Sequence, residues 1–402
     1  MLLNGKKVVL CVTGGIAAYK AADLVSRLKK QGAEVDVLMT QSACEFITPL
    51  TLEVLSGRRV VTDMFDRDFP WEVEHISLAK KADIFVIAPA TANFIGKAAH
   101  GIADDMVTTT YMATKAPVLI APAMNTGMYT NPVVQENMEI LRARGVRFVE
   151  PDAGRLACGD VGKGKLADPA VIVDAMIDML TPKDLAGISL LVTAGPTREA
   201  MDPVRFISNH STGKMGYAIA EHAQRRGATV TLVSGPVALA QPKDLEFVSI
   251  KSARDLRDAV ISRLPNLDWV IKAAAVGDYR PTTCADDKIK KKDDDMSVSL
   301  VRNPDILAEI GEKKRGDQTV CGFAMETKDL IASARAKLEK KNCDMLVSNN
   351  LKVAGAGFGH DTNVVTMLYR DGTSESLDLM QKQEIADIIL DRMLELHRKK
   401  GR

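Results

Sequence analysis

Short apolar runs alternate along the chain with longer amphipathic stretches, and the alternation repeats. Lys7 to Val12 is a compact apolar run that predicts a strand, and Thr13-Gly14-Gly15 breaks it. Ala17 to Lys30 places Ala17, Ala21, Leu24, Val25 and Leu28 on one face and predicts a helix. Gly32-Ala33 ends the helix and Val35 to Met39 is the next strand, a βαβ unit that implies a parallel sheet. Further strands are predicted at Ile84 to Ala88, Val118 to Ala121 and Val146 to Val149, with helices over Asn131 to Arg144 and Pro169 to Leu180. The opening then recurs. Leu190 to Thr193 is a strand, Met215 to Arg226 a helix with Met215, Ile219 and Ala223 at helical spacing, and Thr229 to Val233 a strand. Trp269 to Ala275 and Val364 to Tyr369 read as strands, the latter followed by an Asp371-Gly372 hairpin turn. Leu330 to Lys341 and Gln383 to Arg398 read as helices. The pattern predicts two tandem Rossmann-like, doubly wound α/β domains, residues 1–186 and 187–402, divided near Thr181 to Gly187.

Composition agrees and narrows the function. A chain of 402 residues exceeds one hydrophobic core, and two domains of roughly 200 residues fit the usual domain size. Net charge is +1, which gives no basis for nucleic-acid or membrane-surface binding, and aromatic content of 4% is poor for base stacking. No segment approaches the ~20 apolar residues of a membrane span, and the N-terminal apolar run leads into a glycine turn as a first strand would, not a targeting peptide. The six cysteines are scattered with no CxxC pair, which argues against a zinc site and suits a reducing cytoplasm.

One connection is out of proportion. Between the strand at Leu190 and the helix at Met215 the loop far exceeds the usual ~2–6 residues. It carries Arg198, Arg205, Asn209, His210, Ser211 and Thr212, and closes on Gly213-Lys214 at a helix start. That is the arrangement of an anion site, against the plainer reading of a βα loop with a solvated lysine. It is not a Walker A loop, because Met215 stands where Ser or Thr would hold a metal. Neither half carries G-x-G-x-x-G, and neither second strand ends in an acidic residue for a ribose hydroxyl; they end in Met39-Thr40 and Ser234-Gly235-Pro236. Both points disfavour NAD and favour mononucleotides, such as FMN in one half and a nucleoside phosphate in the other.

Chemistry in the first half concentrates in Ala88 to Asn93, in Pro122 to Tyr129, and in a glycine-rich loop, Gly154 to Lys165, that carries Cys158. Cys158, set among glycines and charges, reads as a functional thiol and not a small buried hydrophobe. His75, Asn125 and Met128 taken singly could be structural. Together these residues resemble the flavin-dependent cysteine decarboxylases: P-x-M-N-x-x-M is intact at Pro122, Met124, Asn125 and Met128, and P-A-T-A-N at Pro89 to Asn93. His75 matches the family's histidine and Cys158 the cysteine of its Cys-Gly-x-x-Gly lid; Tyr129 stands where some members have Trp. The resemblance implies FMN, its phosphate on Gly14, Gly15, Ile16 and Ala17, with Thr40, Pro89, Ala90 and Thr91 completing the cofactor site. It implies oxidation of a cysteinyl thiol by FMN, loss of CO₂ from the β-position, and return of the hydride. His75 would be a base or orienting group, Asn125 and Met128 would hold the substrate, and Cys158 would protonate the enethiol carbon.

The second half resembles the phosphopantothenate–cysteine ligase domain from G-P-T-R-E-x-x-D-P-V-R onward, and nearly the whole chain resembles the bifunctional bacterial enzymes of coenzyme A synthesis. The matching positions include Ala273 to Arg280, Lys288 to Lys291, Asn303 to Leu307, Gly322 to Thr327, Lys337 and Lys341; Thr212 and Gly277 depart from common Ser and Ala. The implied reaction activates phosphopantothenate with CTP as an acyl-cytidylate, which cysteine then attacks. Asn209 would bind the intermediate, Lys288, Lys337 and Lys341 the triphosphate, and Asp278 with Lys272, Ala273 and Ala274 the cytidine. Pro304, Asp305, Ile306, Leu307 and Phe323 would line the remaining nucleotide site. Mg²⁺ would accompany CTP, although no metal-ligand spacing is readable. The partners implied are small molecules, in a cytoplasmic homo-oligomer that is trimer-based and extends to a dodecamer. Alternatives from other classes are a flavin oxidoreductase with an appended nucleotide-binding regulator, and a flavoprotein scaffold without chemistry. Read alone, Lys288 to Asp295 could be a solvated charge run and Lys337 with Lys341 an exposed helix face.

Overall fold

The computed structural model describes residues 2–65, 73–157, 159–290, 296–326, 330–350, 357 and 359–401, with backbone alone at 325, 326, 330–334 and 350. Cys158 and residues 291–295 of the charge run thus lie outside the described residues. The chain divides into two units, Met1–Thr181 and Pro182–Arg402.

The first unit is built on a parallel sheet of β1 (Lys7–Val12), β2 (Glu34–Met39), β3 (Ile84–Ala90), β4 (Val118–Pro122) and β5 (Arg147–Phe148), in the order β2-β1-β3-β4-β5. This is the doubly wound order with its switch point between β1 and β3, where open α/β sheets bind ligands at the strands' carboxyl ends. β3 is buried at every residue, as a strand covered on both faces must be. Val8, Leu10 and Val12 face one core layer with Leu24, Val25 and Leu28, and Val9 and Cys11 face the other with Phe85 and Ile87. Each such side chain contributes about 1.5–3 kcal/mol of burial.

Two local differences from the sequence reading bear on the site. The helix expected from Ala17 opens with a 3₁₀ turn, Ile16–Tyr19, before the α-helix Lys20–Lys30, because Gly15 enters it fully extended and no side chain caps it. The glycine-rich loop is a hairpin, β6 (Asp152–Arg155) against β7 (Val161–Lys165). Gly164 explains one of its glycines: φ is +146°, and a Cβ there would sit 2.3 Å from the Met124 carbonyl oxygen.

The second unit has an eight-stranded sheet. Its strands are β8 (Ser189–Ala194), β11 (Thr229–Ser234), β12 (Glu246–Ser249), β13 (Trp269–Lys272), β16 (Thr319–Glu326), β17 (Met345–Asn350), β18 (Thr362–Tyr369) and β19 (Ser374–Gln381). The order β12-β11-β8-β13-β16-β17 is parallel and has the Rossmann sequence of crossovers, and β18 and β19 extend it antiparallel. The long loop after β8 is not irregular throughout: it holds a hairpin, β9 (Arg198–Ala200) with β10 (Phe206–Ser208). A second small hairpin pairs β14 (Tyr279–Pro281) with β15 (Leu300–Arg302). The strand expected to reach Ala275 stops at Lys272, because the next backbone groups bond elsewhere: Ala274 N–H donates to Thr193 Oγ1 at 3.1 Å and Ala275 N–H to the Gly195 carbonyl at 2.9 Å. The helix Lys214–Arg225 returns onto β8 with Gly216 against it, where a Cβ would lie 2.6 Å from Ala194 Cβ.

Candidate functional sites

In the first unit a cavity of about 500 Å³ opens at the carboxyl end of the sheet. Gly14, Gly15, Ile16 and Ala17 form one wall, Thr91 another, and Asn125 and Met128 face them; Arg155 to Ala157 of the hairpin close one side. The wall is set by close approach: a Cβ on Gly14 would meet Ser42 Cβ at 2.3 Å, whereas Gly15 faces open space except for Thr91 Cγ2 at 3.8 Å. Thr13 ties β1 to the β3 end, its hydroxyl donating to the Pro89 carbonyl at 2.8 Å and accepting from Thr91 N–H at 3.0 Å. Thr91 in turn caps the helix Ala92–His100. Ile16 and Met128 are about half exposed into this space, at 60% and 48%. Burial, then the neighbouring Lys165, push the Lys20 ammonium below its ordinary value.

Pro89 and Ala90 support this wall from the strand end, fully packed in the case of Ala90, without lining the cavity. Thr40 caps the short helix Gln41–Cys44, accepting from Ala43 N–H at 3.2 Å, and likewise stands behind the wall. His75 lies on the helix Glu74–Lys81, and that helix is not among the elements lining the cavity. Burial pushes up the two described thiols of the unit, Cys11 and Cys44. The residues fit a flavin. The cavity is predominantly apolar, and one end is an uncapped 3₁₀ turn whose first N–H groups suit a phosphate.

The hairpin is tied to the Asn125 segment through a charged cluster the sequence reading did not identify. Glu150 accepts from the Tyr129 hydroxyl at 2.6 Å, from Arg142 at 2.7 Å and from Lys163 of β7 at 3.0 Å. Met124 N–H donates to the Gly164 carbonyl at 2.9 Å.

In the second unit two cavities of about 330 and 480 Å³ adjoin and share Lys272, Val276, Asp278, Phe323 and Lys337. The first is bounded by Asn209, the start of the helix Lys214–Arg225, and Ala273 to Ala275. The second is bounded by Pro304, Asp305, Ile306, Leu307 and Lys341. Asn209 donates to the Ala275 carbonyl at 3.1 Å. Asp305 caps the helix Ile306–Lys313 and is ion-paired with Lys341. Burial lowers the Lys272 ammonium to about 8, with nearby Lys341 adding to the effect and Asp278 opposing it. Lys337 and Lys341 thus line a cavity and are not merely an exposed face.

Other candidate residues have partners or positions of their own. Lys214 does not point free at a ligand; it is paired with Asp361 at 2.7 Å and donates to the Gly359 carbonyl at 3.1 Å. Arg205 is spent internally on Asp202 and the Ile289 carbonyl. Burial alone would raise the Asp202 carboxyl, but Arg205 and three backbone N–H groups hold it well below the carboxylate range. Lys288 is exposed and lines neither cavity, since Ile289 beside it is pinned to Asp202. The reading also missed Lys382, Asn349 and Asn363, which line the first cavity from strands β17 and β18 and the C-terminal helix. No local motif marks them. Among the described residues no group of three or more His, Cys, Asp or Glu could hold a metal ion, and no helix is long and apolar enough to cross a membrane.

Two doubly wound α/β units, one with an apolar flavin-sized cavity and one with a lysine-lined double cavity, define an enzyme of phosphorylated small molecules. Comparison with known proteins agrees. Residues 2–181 match the Flavoprotein family and residues 185–396 the DNA/pantothenate metabolism flavoprotein C-terminal domain. Over 100% of this chain and 99% of theirs, the sequence is 51% identical to the coenzyme A biosynthesis bifunctional protein CoaBC of Bacillus subtilis. It is 44% identical to that of Escherichia coli, covering 100% of each. The solved C-terminal domain of a CoaBC is 42% identical, covers 54% of this chain and 99% of that chain, and aligns with a TM-score of 0.47. The chain belongs to the family of bifunctional coenzyme A biosynthesis proteins. It is a flavoprotein enzyme that combines phosphopantothenoylcysteine decarboxylase and phosphopantothenate–cysteine ligase activities. The oxidoreductase and scaffold alternatives fall away.

Proposed function

We propose that residues 187–402 carry the ligase and residues 1–186 the FMN-dependent decarboxylase, acting in that order. The observation that carries this reading is the shared wall of Lys272, Val276, Asp278, Phe323 and Lys337 between two adjoining cavities. A ligation needs two substrates meeting across one charged boundary, and negative charge gathers there in both half-reactions. CTP lies along Pro304 to Leu307 with Lys337 and Lys341 on its phosphates and Asp278, Lys272 and Ala274 at the cytidine; Mg²⁺ accompanies the triphosphate. The phosphopantothenate carboxylate attacks the α-phosphorus, pyrophosphate leaves, and the amine of cysteine displaces CMP. Asn209 holds the acyl-cytidylate.

In the decarboxylase cavity Gly14 to Ala17 and Thr91 would hold FMN, which when bound would supply reversible hydride chemistry. The chain's own residues do the rest. Gly14 to Ala17 present backbone N–H groups to the phosphate, Thr91 fixes the wall, Met128 excludes water, Asn125 orients the carboxylate, and Cys158 delivers a proton. His75 and Lys288, neither of which lines the cavities described above, act across a boundary between copies in a trimer-based homo-oligomer. Exposed apolar side chains support association in the ligase unit: Phe206, Ile207, Tyr279, Leu300 and Val301, on hairpins where β14 lies against β9, are 37% to 48% exposed. The enzyme works in the cytoplasm.

The test is to supply purified protein with phosphopantothenate, cysteine, CTP and Mg²⁺ and follow pyrophosphate and CO₂. Both should appear, CO₂ after pyrophosphate. Lys288→Gln should slow pyrophosphate release and spare CO₂ release from supplied phosphopantothenoylcysteine. Equal loss of both would mean Lys288 is structural.

A further inference from the structure

The hairpin wall of the decarboxylase cavity rests on the Asn125 segment through bare backbone. β7 reads Val161-Gly162-Lys163-Gly164-Lys165, and its two glycines face residues 124–126. A Cβ on Gly162 would lie 2.7 Å from Thr126 Oγ1, and one on Gly164 would lie 2.3 Å from the Met124 carbonyl oxygen. Glycines offer no side chains to interdigitate, so the register and approach of such a strand are weakly specified. The contact also has a cost: Thr126 Oγ1 is buried with no hydrogen-bond partner among the described residues. Met124 N–H donates to the Gly164 carbonyl at 2.9 Å, which fixes one point along the strand.

Glu150, just ahead of the hairpin, joins the two sides of this contact. Its carboxylate accepts from the Tyr129 hydroxyl at 2.6 Å and from Lys163 Nζ at 3.0 Å. Tyr129 ends the helical turn Thr126–Tyr129 that Asn125 opens as N-cap, and its N–H donates to the Asn125 carbonyl at 2.9 Å. Lys163 stands between the two glycines, and its ammonium is also 5.7 Å from the centroid of the Tyr129 ring. Arg142 holds the carboxylate from a third direction at 2.7 Å. An isolated exposed ion pair contributes little. Here Tyr129 is buried, and one carboxylate takes three donors, an arrangement in which hydrogen bonds reinforce one another.

We propose that Glu150 is a positioning residue for decarboxylation: by clamping Lys163 to Tyr129 it sets the gap between Asn125 and the hairpin residues Arg155 to Ala157 across the cavity. Glu150 does not itself line the cavity. It acts through the turn that Asn125 caps and through β7. The substrate occupies the gap, with Asn125 on its carboxylate. A hairpin wall that shifts loosens the orientation of the reacting carbon, which costs rate more than binding. This role rests on Asn125 facing the substrate as proposed above.

The experiment compares the full chain, loaded with FMN, as wild type, Glu150→Gln, Lys163→Met and Lys163→Arg. For CO₂ release from supplied phosphopantothenoylcysteine, kcat should fall about tenfold with Gln and with Met, while KM stays within about threefold. Arg should recover most of the rate, and pyrophosphate release should stay within about twofold throughout. A second readout needs no flavin. Amide hydrogen exchange at Met124, whose N–H is bonded to Gly164, should quicken about tenfold in the Gln and Met variants while the amides of β3 and β4 keep their protection. Unchanged kcat with unchanged exchange would make the cluster a surface ion pair and overturn the proposal. Lost kcat with Met124 still protected would place the effect elsewhere and overturn it too, as would faster exchange with full activity. If Glu150→Gln fails to fold, Lys163→Met decides alone, because the Lys163 side chain is 49% exposed. Full decarboxylation by Asn125→Asp would instead sink the reading of Asn125 on which the role rests.

Discussion

Asn125 donates its amide to the Asp160 carboxylate at 2.7 Å, while its Oδ1 accepts from Gly127 N–H at 2.7 Å. The second bond fixes which way the amide faces, so the donor side is the one offered to carboxylates. Asp160 is in the β6–β7 connection, two positions after Cys158 in the sequence, and its carboxylate already sits on the group proposed to read the substrate's. Asn125→Asp sets like charges against each other. Decarboxylation should fall by about 100-fold or more, and pyrophosphate release should stay within twofold. Carbon dioxide release from supplied phosphopantothenoylcysteine measures the first, and unchanged decarboxylation would remove Asn125 from the site.

Glu150 holds the hairpin to the Asn125 segment through Tyr129, Arg142 and Lys163. Burial alone would raise its carboxyl, but these three partners bring it below the ordinary 4.5. The folded value is below the unfolded one, so the stabilisation is complete above pH 4.5 and is lost as pH falls through the folded value. Glu150→Gln should therefore melt lower than wild type at neutral pH, with the gap closing under acid. Tyr129→Phe removes one bond and should cost about 1 kcal/mol, read from the first transition in denaturant.

Lys272 gives ligation an alkaline limb. Its ammonium is lowered to about 8 by burial, so its charge disappears as pH rises through that value. The profile of kcat/KM for CTP should bend downward near pH 8, because this ratio reports the free enzyme. Lys272→Gln should flatten the bend and lower the plateau about tenfold. A bend that survives the substitution belongs to another group.

Gly216 permits the helix Lys214–Arg225 to touch β8. A Cβ would lie 2.6 Å from Ala194 Cβ and 3.0 Å from the Thr193 carbonyl oxygen. Gly216→Ala should destabilise the second unit by about 1–3 kcal/mol through overpacking, even though alanine is the better helix former. Urea unfolding should show the shift in that unit alone and leave CO₂ release from supplied phosphopantothenoylcysteine intact.

The sequence alone determined the two α/β units, their first strands and helices, and the glycine wall at Gly14 to Ala17, because apolar periodicity and turn residues act over a few residues. It also carried the motifs whose members are neighbours in the chain, such as Pro122 to Met128 and Pro304 to Leu307. Tertiary structure decided what depends on distant partners. It turned the loop Gly154 to Lys165 into a hairpin held by Glu150, and gave Lys214 to Asp361, 147 positions away. It left His75 and Lys288 off the walls of the three cavities described, and brought Lys382 from the last helix to the loop after β8. A lysine's sequence neighbours say nothing of whether its ammonium meets a carboxylate, a carbonyl or an empty cavity; only the fold places those partners, and the charge takes its role from them.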